Sequence, residues 1–69
     1  MTALDEQVGG QHYKNFEIQP IEFCVKNNLG AAESAIIKYA CRHQDKNGAE
    51  DVEKIKHYAD LILQLKYNK

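Results

Sequence analysis

The sequence has little of what small proteins use to stabilise themselves covalently. Its 69 residues include two cysteines, Cys24 and Cys41, one proline and no tryptophan. Two cysteines are too few for a disulfide framework, and the histidines near them do not complete a zinc-ligand pattern. We therefore expect no structural zinc, and we expect both cysteines to stay reduced and to pack as small core residues.

Long apolar runs and an excess of one charge are also missing. No run approaches the roughly 18 apolar residues of a membrane span, and the N-terminal segment lacks the apolar core of a signal peptide. Nine basic residues stand against ten acidic ones, which argues against bulk binding to duplex nucleic acid. Neither a P-loop nor a GxGxxG motif is present. These absences predict a cytoplasmic protein that binds no membrane, no duplex nucleic acid and no flavin or nicotinamide cofactor.

The length of the chain leaves room for one domain, over residues 1–69. A domain of this size removes only about 60% of the surface that its unfolded chain exposes, so a monomer without a disulfide or a metal is marginal. Self-association is the favoured source of the missing burial.

The apolar periodicity predicts an all-α domain. Residues 1–17 lack helical periodicity and are interpreted as an irregular arm. Pro20 suits the first turn of a helix and Gly30 suits a stop, which predicts a short helix over about 20–29. A continuous apolar face predicts a second helix over 31–46. Asn47 followed by Glu50 resembles a capping box and opens a third helix over about 48–67. The last two helices should form an antiparallel hairpin with the arm laid across it.

The third predicted helix carries more apolar residues than one neighbouring helix can cover. Tyr58, Leu61 and Leu65 widen its apolar face. One interpretation is that helices of other copies cover this surplus, which predicts a homo-oligomer. The alternative is an amphipathic helix end that frays.

Basic residues form a stripe along the second predicted helix. Lys38, Arg42 and Lys46 lie four residues apart, over about 12 Å of helix. Folding the hairpin brings Lys54 and His57 towards them. Arginine offers a planar fork for phosphate, lysine a compact charge, and histidine a proton near neutral pH. The pattern therefore predicts a phosphate site in which Arg42 contributes most to binding and little to stability. The alternative is a solvated face with surface ion pairs.

A glycine-rich segment near the N-terminus is a weaker candidate for the site. Gly9 and Gly10 would let the backbone approach a phosphate. They precede a polar segment in which Tyr13 could stack on a base, with His12 and Lys14 beside it.

Acidic residues cluster around the predicted turn between the second and third helices. Asp45, Glu50 and Asp51 could hold Mg²⁺ through water and a substrate phosphate. Alternatively, Glu50 and Asp51 cap the third helix and match its dipole.

Four segments resemble a known family: VGGQHYK at 8–14, IQPIEF at 18–23, IKYACRHQDKNG at 37–48 and EDVEKIKHY at 50–58. The chain resembles, over roughly residues 7–65, the small phage proteins called SaV-like, a family catalogued as a domain of unknown function. Members commonly carry Gly-Asn before the IKY segment, where this chain has Ser34-Ala35.

The resemblance implies a tailed-phage origin, a place in the cytoplasm of the infected bacterium and a role with nucleotides. A related phage protein is a deoxynucleoside monophosphate kinase without a P-loop. The matching positions are Gly9, Gly10, His12, Tyr13, Lys14, Lys38, Tyr39, Arg42, Lys46, Asp51, Lys54, His57 and Tyr58. Of these, Tyr39 and Tyr58 lie on apolar faces and are expected in the core.

Three functions follow as hypotheses. In a nucleotide kinase acting on deoxynucleoside monophosphates, Lys38 and Arg42 hold phosphates, Asp51 positions Mg²⁺ and His57 assists proton movement. Three helices cannot enclose two nucleotides, so such a site would lie between subunits. The second hypothesis is an oligomer that sequesters a nucleotide and counters a host defence. The third is a helical adaptor that binds a host protein.

Overall fold

The described part of the chain folds into three α-helices. The structure, a computed structural model, describes residues 16–69. Helix α1 spans Pro20–Lys26, α2 spans Ala31–Arg42 and α3 spans Ala49–Tyr67, with no strand among the described residues. Helix α2 packs against α3, and α1 packs against α2. The predicted all-α class is confirmed, and most of the predicted arm lies outside the described residues.

Helix α1 ends three residues earlier than its periodicity predicts. Asn28 adopts a left-handed conformation with φ 56°. The N–H of Leu29 donates to the carbonyl of Cys24 at 3.0 Å, and the N–H of Asn28 donates to that of Val25 at 3.2 Å. This pair of bonds is the Schellman motif, in which asparagine replaces the more common glycine. The stop is therefore Asn28, and Gly30 instead serves as the N-cap of α2.

Helix α2 ends at Arg42, four residues before the predicted end, because residues 43–48 form the turn that reverses the chain. The N–H of Asp45 donates to the carbonyl of Arg42 at 3.0 Å, and that of Gly48 to the carbonyl of His43 at 2.8 Å. Gly48 has φ 55° and ψ −124°, a region that favours glycine. Lys46 therefore lies exposed in the turn rather than on the helical stripe.

The predicted capping box at the start of α3 is wrong. The N-cap of α3 is Gly48, and no side chain caps the helix. The amide of Asn47 instead donates from Nδ2 to Oδ1 of Asp51 at 3.4 Å. The side chain of Asn47 thus binds a side chain of the first turn of α3, while its carbonyl accepts from the N–H of Glu50 at 3.2 Å.

Few of the described side chains are buried. Cys24, Pro20 and Asp51 are the buried residues among them, which confirms the predicted core position of Cys24, while Cys41 is half-buried. Many large apolar side chains remain exposed: Phe16, Ile18, Ile21, Phe23, Val25, Val52, Leu63, Leu65 and Tyr67. Helix packing within one chain therefore leaves a large apolar surface uncovered. None of the described helices has the length and apolar character to span a membrane.

Candidate functional site

Three basic side chains converge on the aromatic ring of Tyr39. Nζ of Lys38 lies 5.0 Å from the ring centroid, Cζ of Arg42 lies 4.6 Å from it, and Nζ of Lys54 lies 5.0 Å from it. A cation near an aromatic ring is attracted by the ring quadrupole. Lys38 and Arg42 come from α2, one turn apart, and Lys54 comes from α3. We call these four residues the cationic cluster; it unites three of the predicted phosphate-binding residues.

Tyr39 is held in place by Tyr58. The two rings stack with centroids 6.1 Å apart and planes 21° from parallel, across the interface between α2 and α3. Both residues are half-buried, as expected for side chains on the packed faces. The central position of Tyr39 among the cations was not predicted. Its signal in the sequence is its place beside Lys38 and three residues before Arg42, which puts all three on neighbouring parts of one helix face.

Asp51, in the first turn of α3, contacts two members of the cationic cluster. Its side chain is 0% exposed. Nε of Arg42 donates to Oδ2 at 3.3 Å and Nη2 donates to Oδ1 at 3.5 Å. The backbone N–H of Asn47 donates to Oδ2 at 3.4 Å, in addition to the amide bond to Oδ1. Nζ of Lys54 lies 3.8 Å from Oδ1. Both carboxylate oxygens are thus engaged, as a buried charge requires.

The charge of the cluster follows from these contacts. Burial would raise the pKa of the Asp51 carboxyl, but the hydrogen bonds from Arg42 and Asn47 and the charge of Arg42 hold that pKa below its ordinary value of 3.8. Asp51 is therefore ionised at neutral pH. Three cationic side chains within about 5 Å of one aromatic ring suit an anionic ligand.

The acidic residues at the turn do not fit a Mg²⁺ site. Magnesium needs accessible carboxylate oxygens and room for its water ligands. Asp51 is buried and already accepts bonds from Arg42 and Asn47, whereas Asp45 and Glu50 are exposed. Within residues 16–69 no group of three or more His, Cys, Asp or Glu side chains is placed to hold a metal ion. The contacts of Asp51 fit a structural ion pair at the start of α3.

The other predicted site residues lie apart from this cluster or outside the described chain. His57 is exposed on α3, and its ring centroid lies 6.0 Å from that of the adjacent Tyr58. It is not among the side chains that contact Tyr39. The predicted glycine-rich segment, with Gly9, Gly10, His12, Tyr13 and Lys14, lies outside the described residues.

Residues 8–60 match the family model DUF3310, described as a protein of unknown function. The chain belongs to the DUF3310 family. The match includes α1, α2, the turn and the first twelve residues of α3, and therefore the whole cationic cluster. No curated protein and no solved structure matches the chain. Membership in a family of unknown function is confirmed, and the relation to a phage nucleotide kinase stays a prediction.

Proposed function

We propose that this DUF3310 protein binds a nucleotide, with the phosphate on the cationic cluster. The observation that supports the proposal is the convergence of Lys38, Arg42 and Lys54 on one aromatic ring, with Asp51 in contact with Arg42 and Lys54. A phosphate group carries the negative charge that such cations attract. The bound phosphate would also reduce the mutual repulsion of the three cations.

The geometry favours this site over a solvated basic face. On such a face long basic side chains extend into water, where they keep their rotamer freedom. Here the side chain of Arg42 is only 15% exposed and that of Lys54 is 37% exposed, whereas Lys38 is exposed. Lysine and arginine lose hydration and rotamer freedom when they are held in this way. An anionic ligand offsets part of that cost.

Binding is better supported than phosphoryl transfer. Transfer relies on Mg²⁺ and on closely positioned reactants. The carboxylate at the cluster, Asp51, is occupied by Arg42 and Asn47. A three-helix chain also cannot surround two nucleotides. We therefore propose that the protein sequesters a nucleotide without converting it. Kinase activity would require a second subunit at the site.

The test is a binding measurement by calorimetry with each deoxynucleoside monophosphate. We expect Lys54→Met to weaken nucleotide binding about tenfold, because it removes one charge-assisted contact. The matched control is Lys56→Met, which removes an exposed lysine two residues along the same helix and should change affinity less than about twofold. Equal losses in both variants would mean general charge attraction. No binding by the parent would refute the proposal.

A second assay separates sequestration from catalysis. The parent protein is incubated with ATP, Mg²⁺ and each deoxynucleoside monophosphate, and the products are separated by chromatography. Bound but unchanged nucleotides are the expected result. Formation of diphosphates would establish the kinase hypothesis instead.

We also infer that copies of the chain associate through the outer face of α3. Val52, Leu63 and Tyr67 are exposed there, and their spacings of eleven and four residues keep them within about 60° of one another around the helix. The sequence pointed to a different stripe. Tyr58 and Leu61 are half-buried, and Tyr58 stacks on Tyr39. Because few apolar side chains among residues 16–69 are buried, a second copy of the chain is the occupant that we propose for this face.

Light scattering tests this association. Leu63→Glu places a charge within the outer apolar face and should shift the parent oligomer towards the monomer mass. Gln64→Glu introduces the same charge at the neighbouring exposed position and should leave the mass unchanged. A parent that is monomeric at micromolar concentration refutes self-association.

A further inference from the structure

A groove of about 290 Å³ lies between α1 and α2. Ala31, Ser34, Ala35 and Lys38 form its α2 wall. Their spacing of i, i+3, i+4 and i+7 puts them on one helix face, over about 10 Å of the axis. The α1 wall consists of Pro20, Ile21 and Cys24. The lining is thus apolar except for the hydroxyl of Ser34 and the ammonium group of Lys38.

Lys38 connects this groove with the cationic cluster. It lines the groove, and its Nζ lies 5.0 Å from the centroid of the Tyr39 ring. The groove therefore begins where the positive charge is concentrated and continues along α2 towards Ala31. A single ligand with an anionic end and a largely apolar body would match both regions at once.

We propose that the groove binds the base and sugar of the nucleotide whose phosphate lies on the cationic cluster, an inference that rests on the proposed function. Small-molecule sites have volumes of roughly 300–1,000 Å³, so a groove of about 290 Å³ has room for one nucleoside and not for two. The charge of Lys38 at one end selects an anionic ligand over the apolar side chain of a second copy. The groove therefore takes one nucleoside, with its phosphate on the cationic cluster.

Ser34 is the residue that would distinguish one base from another. It provides the single hydroxyl in the groove, and a hydroxyl both donates and accepts a hydrogen bond. A base with a polar edge atom at Ser34 gains a contact that the apolar walls cannot provide.

The experiment compares nucleotides with tripolyphosphate, a phosphate chain that has no nucleoside. Ala35→Leu fills the groove without altering a charge and should weaken binding of the preferred deoxynucleoside monophosphate at least about tenfold. Its affinity for tripolyphosphate should stay within about twofold of the parent value. The matched control is Ala40→Leu, the same substitution at an exposed position on the opposite side of α2; it should change neither affinity.

If Ala35→Leu loses its helical circular-dichroism signal, a less disruptive substitution at Ser34 provides the test. Ser34→Ala removes one oxygen atom and should change the order of preference among the four deoxynucleoside monophosphates. An unchanged order would refute the role of Ser34.

The outcomes separate this proposal from the proposed function. If Ala35→Leu folds and binds nucleotides as the parent does, while Lys54→Met does not, the groove proposal fails and phosphate binding stands. Equal binding of tripolyphosphate and of every nucleotide by the parent also refutes the groove. A parent that binds neither ligand refutes both proposals.

Discussion

The two ends of the α2–α3 hairpin are held together in different ways. At the turn, the buried carboxylate of Asp51 accepts four hydrogen bonds of 3.3–3.5 Å from Arg42 and Asn47. At the open end, Nζ of Lys66 donates to Oε2 of Glu33 at 2.7 Å. The side chains of this second pair are 55% and 32% exposed.

Burial, rather than distance, decides which of these contacts contributes more to the stability of the fold. The shorter bond at the open end joins partly exposed side chains, so water screens its charges. The longer bonds at the turn lie out of water, where loss of one partner leaves the other charge uncompensated. The turn end is therefore specified by polar side chains. At the open end, Leu65 and Tyr67 are exposed.

The largest effect should come from removing the charge at the turn. Asp51→Asn leaves Arg42 without its counter-charge, and we expect the Tm to fall by about 10 °C or more. Asp60→Asn is the matched control, since Asp60 is exposed on the same helix; its Tm should change by no more than about 2 °C. Thermal unfolding followed by circular dichroism measures both. Equal changes would mean that the buried ion pair does not stabilise the turn end.

Replacing Arg42 should also destabilise the turn end of the hairpin. The sequence indicated that Arg42 could be replaced without loss of stability, but its two bonds to Asp51 make it part of the structure. Arg42→Lys should therefore lower the Tm as well as the affinity for nucleotide, because lysine cannot reproduce the planar fork. Lys54 is the better probe of binding, because its side chain is 37% exposed and its contact with Asp51 is longer, at 3.8 Å.

Acid should weaken the turn end through Asp51. A carboxyl whose pKa is lower in the folded state stabilises the fold above its unfolded pKa, and this contribution is lost as the pH falls through the folded pKa. The pKa of Asp51 lies below 3.8. The Tm of the parent should therefore decline below about pH 4, and that of Asp51→Asn should decline less, so that the two curves approach each other. Parallel curves between pH 6 and pH 2 would contradict the assignment.

The smallest effect should come from the open end. Lys66→Gln removes the ion pair with Glu33, and we expect the Tm to fall by only about 2 °C or less at low ionic strength. The difference should vanish in about 1 M NaCl, because salt screens exposed charges. Lys56→Gln, at another exposed lysine of α3, serves as the control. A deficit that persists in high salt would show that the open end is held as firmly as the turn.

Much of the fold could be predicted from local pattern. Apolar residues at helical spacing depend only on the 3.6-residue repeat, so the three helices and their order were predictable. The boundaries of the helices were harder to predict. Gly30 looked like the end of α1, yet Asn28 takes the left-handed position, because two residues with similar turn preferences compete and the packing of α1 on α2 decides between them.

The candidate site was likewise predictable only in part. Helix periodicity and a turn near Asn47-Gly48 predict that Lys38, Arg42 and Lys54 lie close together across the hairpin. The same register also predicts His57 beside them, and His57 lies outside the cationic cluster. The burial of Asp51 as a partner of Arg42, rather than as an accessible metal ligand, follows from the packing of α2 against α3. The tertiary structure also decided that Tyr39 lies among the cations and that a groove begins at Lys38. These features depend on the distance between helices and on the exclusion of water, and neither is encoded in the spacing of residues along one helix.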